Sequence, residues 1–166
     1  IGHLQLDPAG ELCSCGRVGC LNTIVAVPAI VRQYSARKAL DPESVSFNSL
    51  LMQALDYDED AMSVLKSAAE QLGAAIASLV NLIRPEMIVV GGQITEAWSM
   101  IEPILQGQIQ AKSLQIAGVK AVQLTPSELY ESPWYSGFAL VREALLTGQL
   151  LPTLLNAKQP VDMSRF

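Results

Sequence analysis

Three cysteines and one histidine near the start of the sequence constrain this chain more than any other feature. They form the pattern His3-x9-Cys13-x-Cys15-x4-Cys20, within residues 3–22, here called the cysteine loop. One imidazole and three thiolates suit tetrahedral zinc and fill all four of its coordination positions. The pattern therefore predicts a structural zinc site whose binding is coupled to folding of the loop. The alternative is that the cysteines are free thiols on an exposed loop.

The number of cysteines also indicates a cellular compartment. An odd, tightly clustered set of three cannot form a disulfide framework, and its position beside a histidine favours metal chemistry in a reducing compartment. We therefore expect a cytoplasmic protein. The longest uncharged runs, 18–31 and 144–157, are shorter than the about 20 apolar residues of a membrane helix, so we expect no membrane insertion. Because the chain begins at Ile1, we also expect it to be part of a longer protein.

The balance of charge argues against nucleic acid as a direct partner. Acidic residues outnumber basic ones by 16 to 11, and the longest basic run is the pair Arg37-Lys38. Proteins that bind DNA or RNA present clustered lysines and arginines to the phosphates. Any contact with DNA is therefore expected to come from outside these residues.

Residues 58–85 carry the clearest periodic pattern. Asp58 or Asp60 can cap the beginning of a helix, and Pro85 ends it. The predicted helix has about seven turns. Apolar residues recur at helical spacing along it: Met62, Leu65, Ala69, Leu72, Ile76, Leu79, Val80 and Ile83. Its many alanines and Gly73 permit close approach of another backbone.

The region after this helix predicts an α/β arrangement. Met87–Val90 is a continuous apolar run of strand length, and a helical pattern follows from Glu96 to Leu114. A second strand is predicted over Val119–Leu124. A buried strand between helices is typical of an α/β layer, so the predicted core covers 58–147.

The remaining segments have simpler patterns. His3–Asp7 alternates like a short strand, and Thr23–Lys38 is helical with Pro28 in the first turn of its main helix. The C-terminal helices are predicted within 136–156: one over Ser136–Thr147 and, after Gly148, its continuation over Leu150–Leu155. Residues 158–166 are predicted to be a frayed tail.

The cysteine pattern and its neighbours resemble the ROK family of repressors, open reading frames and kinases. The zinc motif is highly specific, while the later matches are also found in other α/β proteins. The residues that carry the resemblance are Ile1-Gly2-His3, Asp7-Pro8, Cys13-x-Cys15-Gly16-x-x-Gly19-Cys20-Leu21, Asn81-Leu82, Pro85, Gly91-Gly92, Phe138-Ala139-Leu140-Val141, Leu150-Leu151 and Leu154-Leu155.

The resemblance implies a fold. Residues 1–157 would form the C-terminal lobe of an actin-like (ribonuclease H-like) sugar-kinase fold, in which the zinc loop supports the sugar pocket. The family's kinases also need a glycine-rich phosphate loop and a catalytic aspartate, and neither pattern is found in the sequence. We therefore expect no enzymatic activity from this chain.

The resemblance also suggests residues that bind a ligand. Family kinases usually place a glutamate directly after the Cys-Leu pair, where this chain has Asn22. An amide offers one acceptor oxygen and no charge, so sugar binding is altered or lost; alternatively, Asn22 caps the helix that begins near Thr23. His3 either ligates metal alone or also contacts the sugar. Gly91 and Gly92 either make a tight turn or contact a nucleotide phosphate.

Two functions follow from the resemblance. In the first, the chain is the effector-binding and oligomerisation portion of a ROK-type repressor, whose DNA-binding domain lies upstream. Its effector would be a sugar, a sugar phosphate or a protein of the sugar phosphotransferase system, and the chain would form a homo-oligomer, most simply a dimer. The second function is a fragment of an ATP-dependent hexose or N-acylhexosamine kinase. The pattern of the C-terminal helices and Asn22 favour the repressor.

Overall fold

The computed structural model describes residues 1–114, 121–127 and 133–148. They belong to two compact units, Ile1–Ser127 and Glu128–Phe166. The predicted helical continuation over 150–155 and the predicted tail 158–166 lie outside the described residues. The helices and strands are α1 Asn22–Val25, α2 Val27–Lys38, α3 Phe47–Leu55, α4 Glu59–Ile83, β1 Met87–Val90, α5 Trp98–Lys112, β2 Gln123–Pro126 and α6 Pro133–Leu146.

Helix α4 is the centre of the first unit and confirms the predicted long helix. The side chain of Asp58 caps its beginning by accepting a hydrogen bond from the N–H of Ala61. The helix ends at Ile83, and the next residue, Arg84, caps it with a left-handed backbone (φ 47°) just before Pro85. Helices α1, α2, α3 and α5 all pack against α4, and its buried face forms the middle of the hydrophobic core.

The close approach that the small residues of α4 predict is made by α5. A Cβ atom added to Gly73 would lie 2.7 Å from Cβ of Gln108 and 3.3 Å from Cα of Leu105. No larger residue fits there without moving α5. Ile101 and Leu105 of α5 belong to the hydrophobic core and are almost completely buried.

Strands β1 and β2 pair in parallel and confirm the α/β class. Met87 is in register with Gln123, and Val90 with Pro126. The second strand lies nearer the C-terminus than the predicted Val119–Leu124, overlapping it at Gln123 and Leu124. The prediction that β1 is wholly buried is wrong. Side chains alternate between the two faces of a strand. Ile88 and Val90 face the core, and Met87 and Val89 are therefore exposed on the other face.

Two predictions near the N-terminus need correction. Residues 3–7 form no strand; the cysteine loop contains only the isolated bridges Gln5↔Cys20 and Leu12↔Val18. The loop turns too often for a longer ladder to form. The predicted helix 23–38 is broken at Ala26, which is extended, and therefore forms α1 and α2. Pro28 lies in the first turn of α2, as predicted.

Helix α3 was missed by the sequence reading, although its signals are local. The Ser46 side chain caps it by accepting a hydrogen bond from the N–H of Ser49. Phe47, Leu50, Leu51 and Ala54 then recur at helical spacing and are all buried. The helix has only nine residues, so this pattern covers little more than two turns.

Helix α6 is the described part of the second unit and confirms the predicted helix 136–147. It ends where the N–H of Gly148 donates to the carbonyl oxygen of Leu145, with Gly148 in the left-handed region (φ 72°). Glycine at this position is a common helix stop because it lacks Cβ.

One ion-pair cluster joins the end of α2 to the beginning of α4. Lys38 Nζ lies 2.6 Å from Asp58 Oδ2 and 3.0 Å from Asp60 Oδ2. The hydrogen bond from Lys38, and to a smaller extent the one from the N–H of Ala61, holds the pKa of Asp58 below its ordinary value. Asp58 therefore supports both the helix cap and the packing of α2 on α4.

Replacing Asp58 with Asn should separate these two roles. Asparagine caps helices as well as aspartate does, but it cannot pair with Lys38 as a charge. We expect Asp58→Asn to lower the free energy of unfolding at pH 7, and Asp58→Ala to lower it further because the cap is also lost. Urea unfolding of the three proteins measures these differences.

The difference between Asp58→Asn and the unchanged protein should depend on pH. The native pKa of Asp58 lies below its unfolded value of about 3.9, so its charge stabilises the fold fully above that value. This stabilisation is lost as pH falls through the native pKa. A difference that stayed constant down to pH 2 would contradict the proposed role of the Asp58–Lys38 pair.

Candidate metal centre

Backbone hydrogen bonds fold the cysteine loop so that its two ends lie side by side. The N–H groups of Leu6 and Asp7 donate to the carbonyl oxygen of Gly19, and the N–H of Leu21 donates to that of Leu4. A second set closes the tip of the loop. There the N–H of Cys13 donates to the carbonyl oxygen of Arg17, and the N–H of Gly16 donates to the carbonyl oxygen of Cys13. This pairing brings His3, from one end, to the cysteines of the other.

Two glycines permit this path, but in different surroundings. Gly16 (φ 84°) and Gly19 (φ 63°) both have left-handed backbones, which favour glycine. A Cβ atom added to Gly19 would lie 1.5 Å from the carbonyl oxygen of Asp7, so the backbones touch there. A Cβ atom added to Gly16 would meet nothing within 4 Å. Gly19 is thus required by packing as well as by conformation.

The four predicted ligands converge at the base of this loop. One candidate ligand atom from each of His3, Cys13, Cys15 and Cys20 lies within 4.8 Å of all the others. Cys13 Sγ is 3.5 Å from His3 Nδ1, and Cys15 Sγ is 3.6 Å from Cys20 Sγ. The free-thiol alternative does not require this convergence.

These separations fit a tetrahedral zinc ion. With Zn–S bonds of about 2.3 Å and Zn–N bonds of about 2.0–2.1 Å, tetrahedral geometry places two sulfurs about 3.8 Å apart and a sulfur and a nitrogen about 3.6 Å apart. The two short distances in the cluster differ from these values by about 0.2 Å or less. The residues present therefore fit the metal in both chemistry and spacing.

The thiols of the cluster have different electrostatic surroundings. The pKa of Cys15 is lowered to about 6, first by a hydrogen bond from the backbone N–H of Arg17 and then by its guanidinium group. Burial is the main cause that raises the pKa of Cys20 to about 11. A metal cation would offset the free-energy cost of burying a thiolate at Cys20, because it stabilises thiolates directly. Arg17 was missed by the sequence reading; its signal was the single cation inside the loop.

The cluster is anchored to the hydrophobic core through its last ligand. Cys20 is fully buried, and the next residue, Leu21, is a buried member of the core. On the outer side of the loop, Arg32 Nη2 from α2 lies 2.8 Å from Glu11 Oε2. Both side chains of this pair are largely exposed, so the pair contributes little to the stability of the fold. We infer that it orients the loop relative to α2.

Asn22 lies two residues after the candidate ligand Cys20 and next to the first residues of the chain. Its N–H donates to the carbonyl oxygen of Gly2, and a Cβ atom added to Gly2 would collide with the Asn22 side chain. The cap interpretation is wrong, because Asn22 is itself the first residue of α1 and the preceding Leu21 makes no side-chain cap. The Asn22 side chain is exposed.

Gly91 and Gly92 follow β1 and support the tight-turn interpretation. Gly92 (φ 92°) precedes a short 3₁₀ turn over Gln93–Ala97, and its carbonyl oxygen accepts hydrogen bonds from the N–H and hydroxyl of Thr95. Both glycines are exposed at the carboxyl end of β1. They belong to an element that is separate in sequence from the cysteine loop.

Comparison with known proteins identifies the family. The ROK family profile matches residues 1–143, and the chain therefore belongs to the ROK family. It is 35% identical over 163 residues to the DNA-binding transcriptional dual regulator NagC of Escherichia coli (strain K12), an alignment that covers 93% of this chain and 39% of the regulator.

Solved structures agree with this assignment. A crystal structure of a ROK family transcriptional regulator, a homolog of the E. coli Mlc protein, matches with a TM-score of 0.77 and 37% identity, covering 90% of this chain and 39% of that one. A ROK family glucokinase from Streptomyces griseus, in complex with glucose and AMPPNP, has a similar fold (TM-score 0.67, 20% identity, 77% and 46% covered). The chain spans less than half of each relative's length.

No helix within the described ranges 1–114, 121–127 and 133–148 is long and apolar enough to cross a membrane.

The two glycines offer a test of the loop as a metal centre. Gly19→Ala should abolish stoichiometric zinc binding, because the new Cβ displaces the Asp7 backbone and separates His3 from the cysteines. Gly16→Ala should retain zinc, since it adds only left-handed backbone strain of about 1–2 kcal/mol. Zinc per chain is measured by plasma mass spectrometry after purification without chelator. Equal zinc contents in the two variants would contradict the importance of the Asp7–Gly19 contact.

Proposed function

We propose that this chain is the effector-binding and oligomerisation portion of a ROK family transcriptional repressor that controls genes of sugar uptake or metabolism. The observation that carries the proposal is the similarity to NagC, which extends over 93% of the chain. Operator DNA would be bound by a domain outside these residues, consistent with the net charge of -5. The proposed fold is the C-terminal lobe, residues 1–157, of an actin-like (ribonuclease H-like) sugar-kinase fold.

The metal in this proposal is a structural zinc ion held by His3, Cys13, Cys15 and Cys20. Four protein ligands leave no open position for a substrate, which is the usual difference between structural and catalytic zinc sites. The zinc would fix the cysteine loop beside Asn22, and the residues around it would then form one side of the effector site.

His3 and Asn22 are the proposed contacts to the effector. Nδ1 is the imidazole nitrogen that faces Cys13 Sγ, so a metal bond through Nδ1 leaves Nε2 for a sugar hydroxyl. Asn22 is exposed and held against Gly2, the neighbour of His3. Gly91 and Gly92 remain a second proposed ligand contact, because ligands of α/β sheets bind at the carboxyl ends of the strands.

The alternative function is a fragment of an ATP-dependent hexose or N-acylhexosamine kinase. The similarity in fold to a glucokinase supports it. Asn22 argues against it: an amide binds a sugar with one neutral acceptor, whereas a carboxylate accepts two charge-assisted hydrogen bonds. We therefore propose that the chain has no enzymatic activity of its own.

Asn22→Glu should increase sugar affinity in the longer protein that contains this chain. Hydrogen bonds to a charged group are stronger by about 1 kcal/mol or more, so we expect roughly a tenfold lower Kd. Asn22→Gln is the matched control, because it has the length of glutamate without the charge. Titration calorimetry with glucose, N-acetylglucosamine and their 6-phosphates measures the effect.

Two results, one from this titration and one from an assay with ATP, would argue against the proposal. Sugar binding that is equal in the Glu and Gln variants would contradict a role for Asn22 in ligand contact. Transfer of phosphate from ATP to any of these sugars by the unchanged protein would favour the kinase.

The oligomer is proposed from the sequence pattern of the C-terminal helices. Apolar residues surround more of these helices than one core face requires, and large apolar surfaces are usually interfaces. A twofold dimer would also match a palindromic operator. A protein of the sugar phosphotransferase system is a further possible effector in this proposal, besides a sugar or sugar phosphate.

Paired Leu151→Glu and Leu155→Glu substitutions should convert the proposed dimer into a monomer at micromolar concentration, because buried carboxylates without partners are costly. Gln149→Glu, which adds a charge at a polar position of the same segment, is the control. Light scattering on the longer protein measures the mass. A dimer that survives the paired change would exclude this interface.

A further inference from the structure

The four candidate ligands differ in how accessible they are. Cys13 and Cys20 are buried, whereas Cys15 is exposed at the outer side of the cluster. Zinc lowers the reactivity of its thiolates but does not abolish it, and oxidation follows exposure and thiolate character. Among the three sulfurs, Cys15 Sγ is thus the one that a small oxidant in solution reaches.

A second thiol lies next to this exposed sulfur. Cys15 Sγ is 3.6 Å from Cys20 Sγ, and a disulfide needs about 2.05 Å, so the two sulfurs need to approach by about 1.6 Å. Cys15 is exposed, so its side chain is not fixed between core residues.

The third cysteine is placed differently. Cys13 is buried, and its Sγ lies 3.5 Å from His3 Nδ1 and 4.0 Å from the hydroxyl of Ser14. Its N–H is fixed to the carbonyl oxygen of Arg17. Cys20 is therefore the better-placed partner for an oxidised Cys15.

We propose that Cys15 is a site of modification by hydroperoxides, and that its oxidation leads to a Cys15–Cys20 disulfide and release of the zinc ion. The inference rests on the zinc site of the proposed function, and it adds to that function a response to oxidants. The observations that carry it are the exposure of Cys15 and the 3.6 Å between its sulfur and that of Cys20.

The chemistry is a two-electron oxidation in two steps. The Cys15 thiolate attacks one oxygen of hydrogen peroxide, an S–O bond forms, the O–O bond breaks, and hydroxide leaves and takes up a proton to become water. The Cys20 thiolate then attacks the Cys15 sulfur, the S–S bond forms, and the sulfenic oxygen leaves as hydroxide, which also becomes water. Two thiolates are oxidised and one peroxide is reduced.

The disulfide removes two of the four ligands. His3 and Cys13 alone leave the zinc ion with half its coordination, and its binding free energy, which is coupled to folding of the loop, is lost. A thiol reductant reverses the step by exchange, after which zinc can bind again.

Hydrogen peroxide treatment of the longer protein, purified with its zinc, tests this inference. Zinc is measured before treatment by plasma mass spectrometry, and its release is followed with a chromogenic chelator. We expect one zinc released and two thiols lost per chain, with a Cys15–Cys20 disulfide in the peptide map, and recovery of zinc binding after dithiothreitol and added zinc.

Cys15→His provides a variant with four possible ligands but no exposed thiolate, and we expect it to release zinc at least tenfold more slowly under peroxide. If this variant does not bind zinc, the peptide map of the unchanged protein decides. The inference would be overturned if zinc and all three thiols persisted under peroxide. A disulfide that joins Cys13 instead of Cys15 would also overturn it. A protein without zinc before treatment would contradict the metal centre itself.

Discussion

The cysteine loop has almost no hydrophobic core of its own. Leu4, Leu12 and Val18 are exposed, Leu6 is only partly buried, and the buried residues within 3–22 are Cys13, Gly19, Cys20 and Leu21. The backbone hydrogen bonds of such a loop are accessible to water and stabilise it only modestly. Four bonds to one metal ion would supply what hydrophobic burial does not. The positions of His3 and of the residues beside it in the candidate effector site depend on this convergence with the three cysteines.

The cysteine loop is connected to the rest of the unit at its C-terminal end. Cys20 and Leu21 lead directly from the cluster into α1 and the core, and the core is organised by α4. Along the chain, the candidate metal ligands are thus followed directly by the short helix α1, which packs against α4 in the core. Loss of a bound metal would free the His3 side chain, whereas α4 and its partners would stay packed, because none of the three cysteines belongs to the core cluster. A local change at the cluster could therefore alter the proposed effector site without unfolding the domain.

The sequence predicts the parts of this protein that depend on local chemistry. The long helix follows from its period, its Asp58 cap and Pro85, and the cluster follows from ligand type and spacing, because both are encoded by neighbouring residues. The exposed face of β1 was not predictable, because four apolar residues in a row do not distinguish a strand covered on both sides from one covered on a single side. The role of Gly19 required the structure as well, since the contact with Asp7 joins residues twelve positions apart.

We propose that His3, Cys13, Cys15 and Cys20 together bind one zinc ion, and the rest of the proposed function depends on it. X-ray absorption at the zinc edge, on protein purified without chelator, tests it most directly because it reports the identity, number and distance of the ligands. We expect one zinc per chain with three sulfurs at about 2.3 Å and one nitrogen at about 2.0–2.1 Å. A metal-free protein with an ordered cysteine loop, or a zinc ion with oxygen ligands in place of sulfur, would contradict it.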